Sequence, residues 1–306
     1  MNPDKYTIDE HFLKVNSEHT LYIQDWGNPS AQPIVFLHGG PGSSIKDRHK
    51  QRFDPKLQRV IFFDQRGAGK STPTGSLNDN TTKDLVEDIE KIAVALKLKD
   101  FILTGGSWGV CLALAYALKY PTRVESLVLQ GVYTGSKSET EYLDNGEAWR
   151  QYFPDVWDAY LSRTPAKWHH DPTAYHHKHA LGDDPVKAKL SAYAYYELEG
   201  SLLQIDDRHT PEDYETFDPN SMKIELHYLS NHCFLPDRYL LDNAHKLNMP
   251  VWIIQGRYDM VCPSITAYEL HKNLPNSHLF WTTAGHGNDR PNFDLMHSTL
   301  LQLSQK

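Results

Sequence analysis

The chain has few cysteines, no excess of positive charge and no long apolar run, and each absence removes a class of function. Its three cysteines, Cys111, Cys233 and Cys262, are an odd number without Cys-x-x-Cys spacing. Neither a disulfide framework nor a structural zinc site is expected from them. Lys and Arg number 31 against 39 Asp and Glu, a net charge of −8, so a nucleic-acid partner has no electrostatic support. The longest apolar run, Val110 to Leu118, falls far short of the roughly 20 residues a membrane span needs. Met1-Asn2-Pro3-Asp4-Lys5 opens the chain without the apolar core of a signal peptide. No internal repeat or low-complexity tract is present. The expectation is a soluble protein of a reducing compartment, the cytoplasm, with no membrane partner.

Over 306 residues, 40% hydrophobic and 23% charged content is enough for one large globular core, or a core with an insertion. His11 to Val15 and His19 to Gln24 alternate as an antiparallel strand pair does. Ile34-Val35-Phe36-Leu37, Val60-Ile61-Phe62-Phe63, Phe101-Ile102-Leu103-Thr104 and Ser126 to Gln130 are short, mostly apolar runs, the mark of strands buried on both faces. Thr81 with Asp84 forms a capping box, followed by Leu85, Ile89, Ile92 and Leu96 at helical spacing. Pro250 to Ile254 and His278 to Trp281 return to the buried-strand type. Between them, from about 136 to 238, the chain is rich in Tyr, Trp, His and acidic residues and its patterns are helical. Strands alternating with helices predict an α/β fold with a mostly parallel sheet. The expected division is 1–135 and 239–306 for the core and 136–238 for an inserted helical cap.

Chemistry concentrates where strands end. Gly105-Gly106-Ser107-Trp108-Gly109 lies between a buried strand and an Ala/Leu-rich helix, the setting of a nucleophile elbow, and its glycines are expected to take up the strain of the turn. Asp259 lies just past the strand ending at Ile254, and His286 lies in the loop after the next strand. Alone, the first reads as a loop salt bridge and the second as a surface histidine. Together with Ser107 they follow the chain order Ser, Asp, His of the α/β-hydrolase fold, all at strand carboxyl ends, where open α/β sheets gather their sites. Ser107 would be the nucleophile and His286 the base that takes its proton. Asp259 would fix the imidazole tautomer. The oxyanion needs backbone N–H donors. Trp108, after the nucleophile, is one, and the loop His38-Gly39-Gly40-Pro41-Gly42 offers the other, with Gly40 favoured over Gly39. His38 reads as a loop anchor.

At this point the chain resembles the proline iminopeptidases, α/β-hydrolase peptidases that remove N-terminal proline. The resemblance runs from about Leu21 to His286. It rests on His38 to Gly42, Asp64-Gln65-Arg66-Gly67-Ala68-Gly69-Lys70-Ser71, Asn80-Thr81-Thr82 with Leu85 to Glu90, Gly105 to Gly109, and Gly256-Arg257-Tyr258-Asp259 with Cys262-Pro263. In the cap, Phe153-Pro154-Asp155, Trp157, Tyr196-Glu197, Ile224-Glu225 and His227-Tyr228 also match. It implies a serine exopeptidase acting without cofactor or metal on small peptides or amides with a free N-terminal proline. By resemblance, Glu197 and Glu225 hold the charged N-terminus, while Tyr133, Phe153 and Cys262 line the proline pocket. The pattern is departed from in three places: at Gln130 where Arg is usual, in the stretch of Tyr193, Tyr195 and Tyr196 where Trp is favoured before the glutamate, and at Gly287 where Ser is common. Trp168-His169-His170-Asp171 and His176-His177-Lys178-His179 read as surface histidines of the cap rather than a metal site. The alternatives are a broader esterase or amidase on the same fold, or a binding protein that has kept its shape without catalysis.

Overall fold

The computed structural model describes residues 3–203, 212–287 and 290–305. Its frame is an eight-stranded sheet. The strands are β1 (Thr7–Lys14), β2 (Thr20–Gly27), β3 (Pro33–Leu37), β4 (Arg59–Phe63), β5 (Phe101–Ser107), β6 (Val124–Val132), β7 (Val251–Gly256) and β8 (Ser277–Thr282), in the spatial order 1-2-4-3-5-6-7-8. β1 and β2 are antiparallel, as is β2 against β4, and every pair from β4 to β8 is parallel. The strands predicted from apolar runs all form, each one to four residues longer, β5 and β6 the most extended.

Alternation along the central strands explains why those runs are continuous. Val35, Leu37, Ile61, Phe63, Leu103, Leu127, Leu129 and Ile253 point into one apolar layer, which also takes in the helices Thr82–Ala95 and Trp108–Lys119. Ile34, Phe36, Val60, Phe62, Ile102, Val128 and Ile254 point into the other, closed by Met296, Leu300 and Leu303 of the helix Arg290–Leu303. Successive side chains alternate between faces, so a strand covered on both sides has no polar register. The helix Thr82–Ala95 opens with the predicted capping box, Thr81 and Asp84 each serving the other's backbone.

Among the described residues, no strand lies between Val132 and Val251. Seven α-helices of the described residues occupy that interval, including Lys137–Asp144, Pro154–Ser162, Pro172–Ala180, Pro185–Gly200 and Asn220–Ser230. The last is seated directly on the sheet's carboxyl rim. Tyr228 packs its ring edge-on to Trp108 at 4.8 Å and donates its hydroxyl to Asn80 Oδ1 at 2.9 Å. Ile224 and the Ser221 carbonyl press against Gly42, where a Cβ would lie 2.4 Å from that carbonyl oxygen. Gly42 also has φ +86°, so neither its conformation nor its surroundings admit a side chain.

Candidate active site

Ser107 ends β5 and caps the helix Trp108–Lys119 with φ 57° and ψ −125°. The strain expected of the glycines therefore sits on the serine itself, at a cost of about 1–3 kcal/mol. The glycines have a different task, which is close approach. A Cβ on Gly105 would lie 2.7 Å from the Gly109 backbone, and one on Gly109 would lie 2.5 Å from the Leu37 carbonyl oxygen. The strand-to-helix turn can fold back against β3 only because both are bare.

His286 and Asp259 meet as expected. His286 Nδ1 lies 2.9 Å from Asp259 Oδ2 and 3.1 Å from Oδ1. With Nδ1 bound to a carboxylate, that nitrogen carries the proton and Nε2 is left as the basic atom. Asp259 Oδ1 accepts from the Val261 N–H at 3.1 Å and the Cys262 N–H at 2.7 Å, and Oδ2 accepts from Gln255 Nε2 at 3.1 Å. Gly131 sits beneath both residues: a Cβ there would lie 3.2 Å from His286 Cε1 and 3.4 Å from Asp259 Oδ2. Its neighbour Val132 pairs with Ser107 across β5 and β6, which brings the three residues to one place on the rim.

Cys262 belongs to the same cluster. Its sulfur and the ligand atoms of Asp259 and His286 lie within 4.8 Å of one another, and the Ser107 hydroxyl is a hydrogen-bond partner of the thiol. Burial, reinforced by the Asp259 charge, pushes the thiol well up, so it stays protonated. A protonated thiol and a carboxylate already filled by N–H donors make a poor cation site, and the arrangement serves His286 instead.

The oxyanion side is held by neutral hydrogen bonds. Gln65 Nε2 donates to the His38 carbonyl at 2.9 Å, its backbone N–H donates to His38 Nε2 at 3.0 Å, and its Oε1 accepts from the Trp108 indole at 2.9 Å. One side chain thus ties the Gly39-Gly40 loop to the residue after the nucleophile. His38 is buried, and burial holds its imidazole neutral, which suits the anchor role read from the sequence. A Cβ on Gly39 would lie 3.5 Å from Ser107 Cβ, so the loop passes directly beside the serine. Gly40 has φ +106°, and a Cβ there would lie 2.8 Å from two backbone nitrogens of the same loop.

The acidic pair differs from the expectation and corrects it. Glu197 turns outward and forms an ion pair with Arg163. Two residues on, the helix Pro185–Gly200 has rotated by about 200°. Glu199 therefore faces inward and hydrogen-bonds Glu225 of the helix Asn220–Ser230. Glu225 is buried and Glu199 half-buried. Burial raises both carboxyls; the Glu199 charge raises Glu225 further, whereas the hydrogen bond from Glu225 favours the ionised Glu199. Glu225 is displaced further and carries the shared proton, while Glu199 feels the attraction of His286. The sequence held a signal for this. Glu199 lies four residues after Tyr195, on a helix face that Tyr195 and Ala192 bury.

Tyr133 is buried, with its hydroxyl 3.5 Å from Cys233 Sγ, and Phe153 is half-buried between two cap helices. Gln130 donates to the carbonyls of His286 and Gly287 at 3.3 Å each, so the residue that departs from the family pattern steadies the histidine loop. The histidines of the cap are not all at its surface, which corrects another expectation. His176 is fully buried, tilted against the Tyr160 ring at 4.6 Å and bonded to the Thr164 hydroxyl at 3.0 Å. Burial lowers both His176 and His177 to about 4, so both are neutral.

Comparison with known proteins follows this geometry. A family profile described as the alpha/beta hydrolase fold matches residues 32–288. Solved esterases from Rhodococcus sp. ECU1013 and Exiguobacterium antarcticum share the fold, with TM-scores of 0.64 and 0.62 at 18% and 20% identity. The first comparison covers 98% of this chain and 99% of that one, the second 97% and 100%. The class is thus the α/β hydrolases. Within it, the chain is 39% identical over 295 residues to the proline iminopeptidase of Xylella fastidiosa (strain Temecula1), covering 94% of each. It is 39% identical to that of Arabidopsis thaliana, covering 91% of this chain and 75% of the other, and 34% identical to that of Neisseria meningitidis (Z2491), covering 92% and 91%. The chain belongs to the proline iminopeptidase family.

Proposed function

We propose that this protein is a serine exopeptidase releasing proline from the N-terminus of peptides. Ser107 attacks the carbonyl of the terminal proline while His286 takes its proton through Nε2. Asp259 holds the imidazole and stabilises the imidazolium. The Trp108 and Gly40 N–H groups receive the oxyanion, each such donor being worth about 3–4 kcal/mol. His286 returns the proton to the leaving amine, and water activated by the same imidazole hydrolyses the acyl-enzyme.

The observation that carries this reading is the Glu199–Glu225 pair next to His286. A buried and a half-buried carboxyl in contact are costly without a counter-charge. A free, protonated N-terminal secondary amine supplies it, whereas a blocked N-terminus leaves the pair unmatched. The pair thus selects an exopeptidase substrate rather than an internal bond. Residues 136–238 serve as the cap that brings the pair over the triad, with Tyr133, Phe153 and Cys262 as apolar walls for the pyrrolidine ring. Three unbridged, buried cysteines suit a reducing compartment, and we read the enzyme as cytoplasmic. Among the described residues no helix is long and apolar enough to cross a membrane. The test is turnover of proline-naphthylamide against its N-blocked form. Fast release from the first alone is expected, and equal turnover of both, or of neither, refutes the proposal.

A further inference from the structure

We propose that Gln255 is a positioning residue that sets the pH at which His286 becomes a base. The proposal rests on the serine-peptidase reading above. Gln255 lies near the end of β7 and is fully buried. Its amide nitrogen donates to Asp259 Oδ2 at 3.1 Å and to the Cys262 carbonyl at 3.0 Å, and its oxygen accepts from the Val132 N–H at 2.8 Å. The orientation of the amide is therefore fixed by chemistry. Turned over, its oxygen would face a carboxylate and a carbonyl while its NH2 faced an N–H, so all three contacts would be repulsive.

The oxygen it serves, Oδ2, is the one nearer to His286 Nδ1. Two donors therefore share one carboxylate oxygen, and part of its charge is spent on the amide. Taking the amide away has two effects of the same sign. Asp259 concentrates its charge on the imidazole, which favours imidazolium, and Asp259 itself loses a donor that favours its ionised form. Both move the acid limb of the rate profile to higher pH. Other titratable groups face this pair from neighbouring elements: Cys262 from the same loop, Tyr142 from the helix Lys137–Asp144, and Glu199, with Glu225 behind it, from the cap. Cys262 and Tyr142 are both pushed up, Tyr142 to about 12, so they stay neutral throughout the acid limb. Glu199 alone titrates with it, and the test is repeated without that carboxyl.

The experiment measures kcat and KM on proline-naphthylamide from pH 5 to 9, and the pH dependence of inactivation by a serine-directed phosphonate, for wild type, Gln255→Leu and Gln255→Glu. In Gln255→Leu the acid limb is expected to rise by about half a unit to one unit. In Gln255→Glu, which sets a second carboxylate against Oδ2, it is expected to rise further. The plateau kcat falls about tenfold with KM within twofold. The phosphonate profile shows the same order of shifts in a Glu199→Gln background. Reduced plateaus with unmoved limbs in both variants would show a structural strut only and overturn the proposal. Gln255→Glu keeps the original shape, so the question stays answerable if Gln255→Leu does not fold. A wild type that the phosphonate does not label, or a Ser107→Ala variant that keeps activity, overturns the serine reading. Labelled wild type with unmoved limbs overturns the Gln255 proposal alone.

Discussion

Glu197 and Glu199 stand two residues apart on one helix, and their assigned tasks make opposite predictions for the same isosteric change. Glu199 shares a proton with the buried Glu225 and lies in the field of His286. If it meets the substrate's cationic nitrogen as proposed, in a water-poor setting, that charge-assisted hydrogen bond would be worth about 2–3 kcal/mol. Glu199→Gln keeps the shape and removes the charge, so kcat/KM on proline-naphthylamide should fall about 30- to 150-fold, mostly through KM. Glu197 pairs with Arg163 where both side chains are partly exposed, 21% and 34%. Such a pair contributes about 1 kcal/mol or less. Glu197→Gln should therefore leave kcat and KM within about twofold and lower stability by no more than that amount. Glu225→Gln falls between them, because the amide resembles the protonated carboxyl it replaces. Steady-state kinetics on the three purified variants, with thermal unfolding as a check on folding, decide the matter. A large KM effect from Glu197→Gln beside a silent Glu199→Gln would refute the assignment of the pair.

Three further outcomes follow from the same geometry. Gly131→Ala places a methyl 3.2–3.4 Å from His286 and Asp259 at φ +60°, so kcat should drop about 10- to 100-fold with little change in KM, as read by the same assay. Gln65→Leu cuts the link between the Gly40 loop and Trp108, and should cost about tenfold in kcat and about 1–2 kcal/mol of stability, measured by urea unfolding. Asp144 is raised to about 7, chiefly by burial, with Asp171 and Glu141 adding to it. A carboxyl raised above its unfolded value binds more protons folded than unfolded, so its ionisation erodes stability as pH climbs from about 4 to 7. Asp144→Asn should accordingly add about 1–3 kcal/mol at pH 8 and close to nothing at pH 4, against a ceiling of about 4 kcal/mol for a three-unit shift. Equal gains at both pH values in denaturant titrations would contradict that origin.

What the sequence could show depended on whether a residue's role leaves a local mark. Ile34 to Leu37 and Val60 to Phe63 are apolar throughout because both sheet faces are covered, so β3 and β4 could be placed to a residue or so. Ser107, Asp259 and His286 stand directly after such runs, and strand ends are where this architecture puts its chemistry. The strain of the elbow was assigned to the wrong atoms, because the pattern Gly-x-Ser-x-Gly does not tell a glycine needed for φ from one needed for room. Glu199 was missed because two glutamates in one helical turn look alike until the helix phase is fixed by its packing against Asn220–Ser230. Gln65 stands in a motif that carries the family resemblance, but neither its role nor that of Gln255 leaves a local mark. Both are neutral, and their roles depend on contacts made only in the fold, among them Gln65 to Trp108, 43 residues on, and Gln255 to Val132, 123 residues back.

Those two amides also explain how a strained serine is kept ready without stray charge nearby. The unfavourable φ of Ser107 is held by β5 pairing on both flanks, to β3 at Gly105 and to β6 at Gly106, and by the Gly109 backbone wedged against Leu37. Around it, each group that must present a donor or a lone pair is fixed by an uncharged partner: His38 and Trp108 by Gln65, Asp259 by Gln255 and two backbone N–H groups, the histidine loop by Gln130. Neutral struts orient the site without adding to its field. The field at the imidazole is left to Asp259, bound to Nδ1, and to Glu199, which feels the histidine's charge. On the proposed reading a cationic N-terminus matches that second charge, so the carboxyl pair that is costly in the empty site would become the source of selectivity in the occupied one.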